Sequence, residues 1–213
     1  MRQAPVTIRP GEPWGDVGPV PAGLVTVHSD AELRDVVERA RRLDAPLPPV
    51  GVAGGDLMRA VGGTGETRRF DTGDGVDVAR LPVDIVRVEA GGEVAWFVAQ
   101  LIARRSWWRG ELVAAMNAQY RGVYDIAPRA HPNDGRADVV RVAAAMSVGD
   151  RWKARRRLPQ GTHVPHPAIT TRPASTIEIT FERPLDVWLD GTRWRRCAAL
   201  RLTVEPDALT VCV

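Results

Sequence analysis

From residue 24 onward the chain alternates between short apolar runs and stretches punctuated by glycine and proline. Residues 24–27 (LVTV) form an apolar run that predicts a strand. Ser29 or Asp30 follows, and either side chain can cap a helix by accepting orphan backbone N–H groups. Leu33, Val36, Val37 and Ala40 then recur at helical spacing, so residues 30–43 predict an amphipathic helix. Pro46, Pro48 and Pro49 end it, because proline can neither donate nor adopt the helical approach to its predecessor. Residues 50–53 predict a second strand, and Gly54-Gly55-Asp56 turns the chain into a short helix over 57–61. Strand, helix, strand, glycine turn, helix is the order of a parallel α/β layer.

After Gly62 the pattern changes. Glycine and aspartate cluster over 62–75, and short apolar runs with turns between them follow. The spacing predicts strands over 85–89, 94–103, 111–119, 137–142, 176–181, 186–189 and 200–204. Within VWLDGTRW, Asp190-Gly191 supplies the positive φ angles of a two-residue hairpin turn between aromatic strands. The Pro- and Gly-rich residues 10–23 read as an irregular arm anchored by Trp14. The whole reads as an α+β chain: a truncated α/β segment over 1–65, then a β-rich, sandwich-like domain over 66–213.

Composition narrows the class. The 213 residues are 44% hydrophobic and 26% charged, which suits a soluble globule and excludes disorder throughout or a collagen-like repeat. The net charge is +3, and Lys153 is the only lysine among 29 basic residues. Arginine keeps its charge and forms bidentate bonds to phosphate and carboxylate. A nucleic-acid binder of this size would carry a larger positive excess, so nucleic acid is not the expected partner. Cys197 and Cys212 cannot build a disulfide framework or a Cys-x-x-Cys site. Residues 1–10 lack an apolar core, and no run approaches the roughly 20 apolar residues that span a bilayer. The expectation is a cytoplasmic protein whose membrane contact, if any, is peripheral.

Four segments carry candidate chemistry. VAGGDLMRAVGG, around Gly54, Gly55 and Asp56, places a glycine turn before a helix, where backbone N–H groups can approach a phosphate. It matches neither a P-loop nor a dinucleotide fingerprint, and taken alone it reads first as a plain turn with glycine C-caps at Gly62 and Gly63. In IAPRAHPNDGRADVV, Asn133-Asp134-Gly135 is a turn whose Asp134 offers an anionic oxygen to a cation or hydroxyl. DRWKARRR contains Arg151, Lys153, Arg155, Arg156 and Arg157, the densest positive run in the chain. It is a solvated face or a phosphate site, with Trp152 beside it suited to a lipid headgroup boundary. His163 and His166 stand three apart, but Pro165 and Pro167 forbid the helix that would align them for zinc.

Taken in order, these segments resemble the diacylglycerol kinase and sphingosine kinase family of lipid kinases, within a superfamily shared with NAD kinases. Gly54-Gly55-Asp56-Leu57-Met58-Arg59-Ala60-Val61-Gly62 is similar to the family's Gly-Thr-Gly-Asn-Asp turn and the helix that it opens. LPVDIVRV resembles the strand after it, and Asn117 resembles an asparagine before a glycine turn. IAPRAHPNDGRADVV resembles the Ala-Pro-x-Ala-x-Pro-x-Asp-Gly segment, the most specific match. GTHVPHPAI and WLDGT resemble the closing Gly-x-His and Asp-Gly-Glu segments.

The resemblance implies a nucleotide site at Gly54, Gly55 and Asp56, to which Arg155, Arg156 and Arg157 of the basic run would supply charge. It also implies a catalytic role at Asp190, a metal at Asp134, and ATP with Mg²⁺ as co-reactants. Departures weigh against activity. The main Gly-Gly-Asp-Gly-Thr nucleotide motif has no copy, and Thr192 stands where the family's Asp-Gly-Glu places its general base. His131 and Asn133 replace acidic positions. The expectation is therefore a catalytically degenerate module binding a lipid or phosphorylated small molecule. The alternative is an active lipid kinase whose nucleotide site is completed by a companion kinase chain or a second copy in a homo-oligomer.

Overall fold

The computed structural model describes Ile8, residues 14–67, Phe70 and residues 77–213. Residues 10–13 of the arm and part of the glycine- and aspartate-rich run at 62–75 lie outside them. The arm is more regular than its composition suggests. Asp16–Pro19 forms strand β1, and Trp14 anchors the segment by donating its indole N–H to the carbonyl of Pro82 at 2.9 Å.

The α/β layer follows the sequence pattern: β2 (Val25–Val27), α1 (Asp30–Arg42), β3 (Val50–Val52) and α2 (Gly55–Ala60). Ser29, rather than Asp30, caps α1, its hydroxyl accepting the N–H of Glu32 at 3.2 Å. The Glu32 carboxylate reaches back to the N–H of His28 at 2.8 Å, a reciprocal arrangement that satisfies two orphan donors. Leu33, Val37 and Ala40 face inward along one stripe.

The β-rich part comprises β4 (Asp77–Ala90), β5 (Glu93–Phe97), β6 (Gln100–Arg104), β7 (Leu112–Met116), β8 (Tyr120–Arg121), β9 (Tyr124–Asp125), β10 (Ala137–Val142), α3 (Val148–Arg157), β11 (Ile169–Ala174), β12 (Thr176–Leu189) and β13 (Thr192–Cys212). One sheet runs β1-β4-β13-β12-β6-β7-β10-β11, with β5 added to β4, and β3 added in parallel to β13. The small β8–β9 hairpin stands apart.

Several expected strands change form. The run at 94–103 is two strands, because the N–H groups of Val98, Ala99 and Gln100 all turn to the carboxylate of Asp190 instead of to a ladder. The runs at 176–181 and 186–189 are one strand, β12, with irregular pairing between Thr180 and Leu185. The run at 200–204 is the centre of the 21-residue β13. The basic run at 150–157 is helical, which its weak apolar periodicity hides. Its start is nevertheless written in the sequence, because Ser147 caps it by accepting the N–H of Asp150 at 3.1 Å.

Three apolar cores result. Side chains alternating along β6, β7 and β10 send Leu101, Ala103, Val113, Ala115 and Val139 into the interior of the folded sheet. Their neighbours Ile102, Ala114, Met116 and Val140 point the other way, toward Met146 and Ile169 under α3. The third core packs α1, α2, β2 and β3 on Leu81, Val83 and Ile85 of β4 and on Leu209 and Val211 of β13. A register shift between Glu205 and Leu209 lets β13 serve both the sheet interior and the helical layer.

Candidate functional site

Two constellations emerge, joined by the β8–β9 hairpin. The first is a group of carboxylates around the glycine turn. Asp30, at the first turn of α1, directs its carboxylate across to the start of α2 and accepts the N–H groups of Asp56 at 2.6 Å and Leu57 at 3.1 Å. Asp56 is engaged in turn: one oxygen accepts Gln100 Nε2 at 2.7 Å and the other accepts the N–H of Gly122 at 2.6 Å. Asp190 accepts three backbone N–H groups at 2.9–3.0 Å. It opens the hairpin turn with φ 47°, followed by Gly191 at φ 84°, the expected pair of left-handed residues. Arg34 of α1 donates to the carbonyl of Leu189 at 2.8 Å and holds the helix against this turn.

Burial dominates the electrostatics here. It pushes Asp30 up to about 6, against the hydrogen bonds that favour its charge. Asp190 goes up to about 7 for the same reason, with the charge of Asp30 adding to it. Asp56 is also raised by burial, opposed by the Gly122 N–H and by Arg121 and Arg59. Thr192, where a general base is expected from the resemblance, is exposed at the start of β13.

Asp134 belongs to a different group. Its carboxylate accepts the N–H of Arg136 at 2.9 Å, an Asx turn. The Gly135 N–H donates to Asp84 at 2.7 Å, and Asp84 also accepts the N–H of Asp207 at 2.9 Å. Burial lifts Asp84 to about 6. Asn117 ties the two groups together, donating to the carbonyls of both Asp84 and Val98. Among the described residues no three His, Cys, Asp or Glu side chains are grouped to hold a metal ion.

The second constellation is a cavity of about 290 Å³ beneath α3. Ile102, Ala114, Val140, Met146, Leu158 and Ile169 make its walls. Its mouth is cationic and aromatic. Arg104 stacks on Trp107 at 4.1 Å and on Trp188 at 4.4 Å, and Arg121 lies over Trp107 at 5.0 Å. Arg155 donates to the Tyr124 hydroxyl at 3.1 Å. None of these three arginines is ion-paired with a carboxylate of the described residues. Burial lowers the Arg104 pKa and the like charge of Arg121 lowers it further, against the opposing charge of Asp186. An anion at the mouth would offset the repulsion between the two arginines.

Of the basic run, Arg151 and Arg155 line this cavity, and of the two only Arg155 is exposed. Arg156 stacks on exposed Trp152 at 4.8 Å, and Arg157 is exposed on α3. Arg151, grouped with a solvated or phosphate-binding run by sequence, is instead buried. It donates to the carbonyls of Met146, Ala143, Gly110 and Trp107, which fixes the 105–110 loop against α3. Sequence reasoning missed Arg104, Arg121, Trp107, Trp108 and the cavity itself. For Arg104, Trp107 and Trp108 the signal was present in RRSWWRG, a basic and aromatic cluster nearly as dense as the run at 150–157.

Comparison with known proteins identifies the fold. Residues 86–213 match the family described as the YegS C-terminal NAD kinase beta sandwich-like domain. No curated protein matches the chain. Three solved structures from Bacillus anthracis str. Sterne, two described as a putative diacylglycerol kinase and one as a diacylglycerol kinase, share the fold, with TM-scores of 0.65, 0.65 and 0.62 at 14%, 15% and 15% identity. The likeness covers 88% of this chain and 77%, 77% and 75% of theirs. At that identity the likeness is one of fold.

Proposed function

The chain belongs to the YegS C-terminal NAD kinase beta sandwich-like family, a diacylglycerol kinase-like lineage, and on that premise we propose that it binds an anionic lipid without efficient phosphoryl transfer. The observation that carries this reading is the apolar cavity under α3 with Arg104, Arg121 and Arg155 at its mouth, none of them ion-paired with a described carboxylate. An aliphatic chain fills the walls, and a phosphate or phosphate ester at the mouth neutralises the arginines. A volume at the low end of small-molecule cavities (~300–1,000 Å³) suits one chain rather than two.

Degeneracy is supported from the other constellation. Phosphoryl transfer rests on positioning and charge stabilisation, so it needs a cradle for the nucleotide phosphates and a metal ion. The amides at the start of α2 are already bonded to Asp30, and both oxygens of Asp56 are bonded within the chain. These residues do not fit ATP with Mg²⁺ at Gly54, Gly55 and Asp56. Thr192 cannot accept a proton near neutral pH, a deficit of about 10²–10⁴ in rate.

The lipid reaches the cavity from a surface in this account. Trp107 and Trp152 are exposed at 39% and 51%, with Val148 at 47% on the same helix as Trp152. Arginines beside such side chains suit the boundary of an anionic bilayer. No described helix is long and apolar enough to cross a membrane.

Flotation with vesicles of phosphatidylglycerol and phosphatidylcholine, alongside a turnover assay with diacylglycerol and ATP-Mg²⁺, tests the reading. Salt-sensitive flotation without multiple turnovers is expected. Rapid turnover by the chain would overturn degeneracy. Turnover gained only with a co-purifying chain bearing Gly-Gly-Asp-Gly-Thr would favour a kinase completed by a companion.

A further inference from the structure

His163 is a polar side chain in the wall of the cavity beneath α3. It follows the turn at Gly161 and is only 4% exposed. Among the described residues neither Nδ1 nor Nε2 has a hydrogen-bond partner. The Ile126 backbone lies beside the ring without reaching hydrogen-bond geometry, and Asp125 contributes only its charge. Buried polar atoms are almost always paired, so an imidazole with both nitrogens unmet calls for a partner that enters the cavity.

The properties of the ring define that partner. Burial lowers the His163 pKa, which leaves the imidazole neutral near pH 7. A neutral imidazole carries one N–H donor and one lone pair. A hydrocarbon chain can satisfy neither, whereas a hydroxyl or ester oxygen can satisfy one or both.

We propose that His163 is a specificity residue that selects a lipid bearing a hydroxyl or ester oxygen on its chain over a plain alkyl chain with the same anionic head. The proposal rests on the lipid reading of the same cavity and deepens it. Arg104, Arg121 and Arg155 recognise the charge, the walls accept any aliphatic chain, and His163 reads the oxygen. A site holding a polar group for a ligand oxygen disfavours the analogue that lacks it, because the group is then left unpaired.

Calorimetric titration with two single-chain phosphates separates these roles. Decyl phosphate has the head and a plain chain, whereas 1-decanoyl lysophosphatidate adds an ester and a hydroxyl. Wild type is expected to bind the lysophosphatidate about tenfold more tightly. His163→Phe should abolish the preference while still binding decyl phosphate, and His163→Gln, which keeps a donor and an acceptor, should retain part of it. Circular dichroism melts establish that both variants fold. Equal affinities in wild type, or a preference that survives in His163→Phe, would overturn the role of His163 and leave the lipid reading standing. No binding of either phosphate by wild type would remove both.

Discussion

The carboxylate of Asp30 accepts the backbone N–H of Asp56 at 2.6 Å, across a gap of 26 residues. It thereby joins the first turn of α1 to the first turn of α2 and occupies the donors that a glycine turn would otherwise present to a ligand. The same contact explains the glycine before Asp56. Gly55 has φ +99°, and a Cβ placed there would lie 2.3 Å from Asp30 Oδ1.

Gly55→Ala should therefore destabilise the fold more than Gly62→Ala. Both residues have positive φ, but a Cβ at Gly62 meets nothing within 4 Å. Backbone strain alone is worth about 1–3 kcal/mol, and only Gly55 adds a clash with Asp30. Urea titration of the two variants measures the difference, and equal midpoints would show that Asp30 yields without cost.

The buried acids make stability depend on pH in a defined direction. Asp190 has a folded pKa of about 7, above its unfolded value of 3.8. The folded chain thus binds the proton more tightly, and the contribution is full below about pH 4 and lost as pH rises toward 7. Asp30 and Asp84, both at about 6, act in the same sense. His131 and His163, lowered by burial, oppose it below about pH 6.5. Asp190→Asn removes one component, so wild type should gain stability relative to this variant as pH falls from 8 to 5. The slope is up to about 1.4 kcal/mol per pH unit. Melts across that range check it, and a constant difference would mean that Asp190 does not titrate there.

The basic helix divides into structural and ligand-facing members. Arg151→Met leaves four carbonyls without their buried donor and should cost about 2–4 kcal/mol. Arg155→Ala should change stability by less than about 0.5 kcal/mol, as its side chain is exposed, yet weaken alkyl phosphate binding. Chemical denaturation and calorimetry on the same pair separate the two roles. The reverse assignment would place the anion elsewhere.

The exposed tryptophans predict how the chain meets a bilayer. Trp107→Ala combined with Trp152→Ala should reduce flotation with phosphatidylglycerol vesicles several-fold, while raising salt weakens wild-type binding. Flotation insensitive to both changes would assign membrane contact to another surface.

The α/β layer and the Asp190-Gly191 hairpin were legible because their signals are local: helical spacing from Leu33 to Ala40, a Ser29 cap, and two residues with positive φ. The break at Val98-Ala99 was not, since it is imposed by Asp190 some 90 residues away. Nor was the cavity, which needs β6, β7, β10, β11 and α3 brought together before its walls exist. Arg151 and Arg155 are four residues apart on one helix and look equivalent in sequence. Only packing sends one into a nest of carbonyls and the other to the cavity mouth.

The central claim is that the cavity under α3 takes an amphiphilic anion. Calorimetric titration of decyl phosphate into wild type and into Ala114→Phe, which fills the cavity wall, tests it most directly. The account predicts micromolar, salt-sensitive binding by wild type and loss of at least tenfold in the folded variant. No heat from wild type at millimolar ligand, or equal binding by Ala114→Phe, would contradict it.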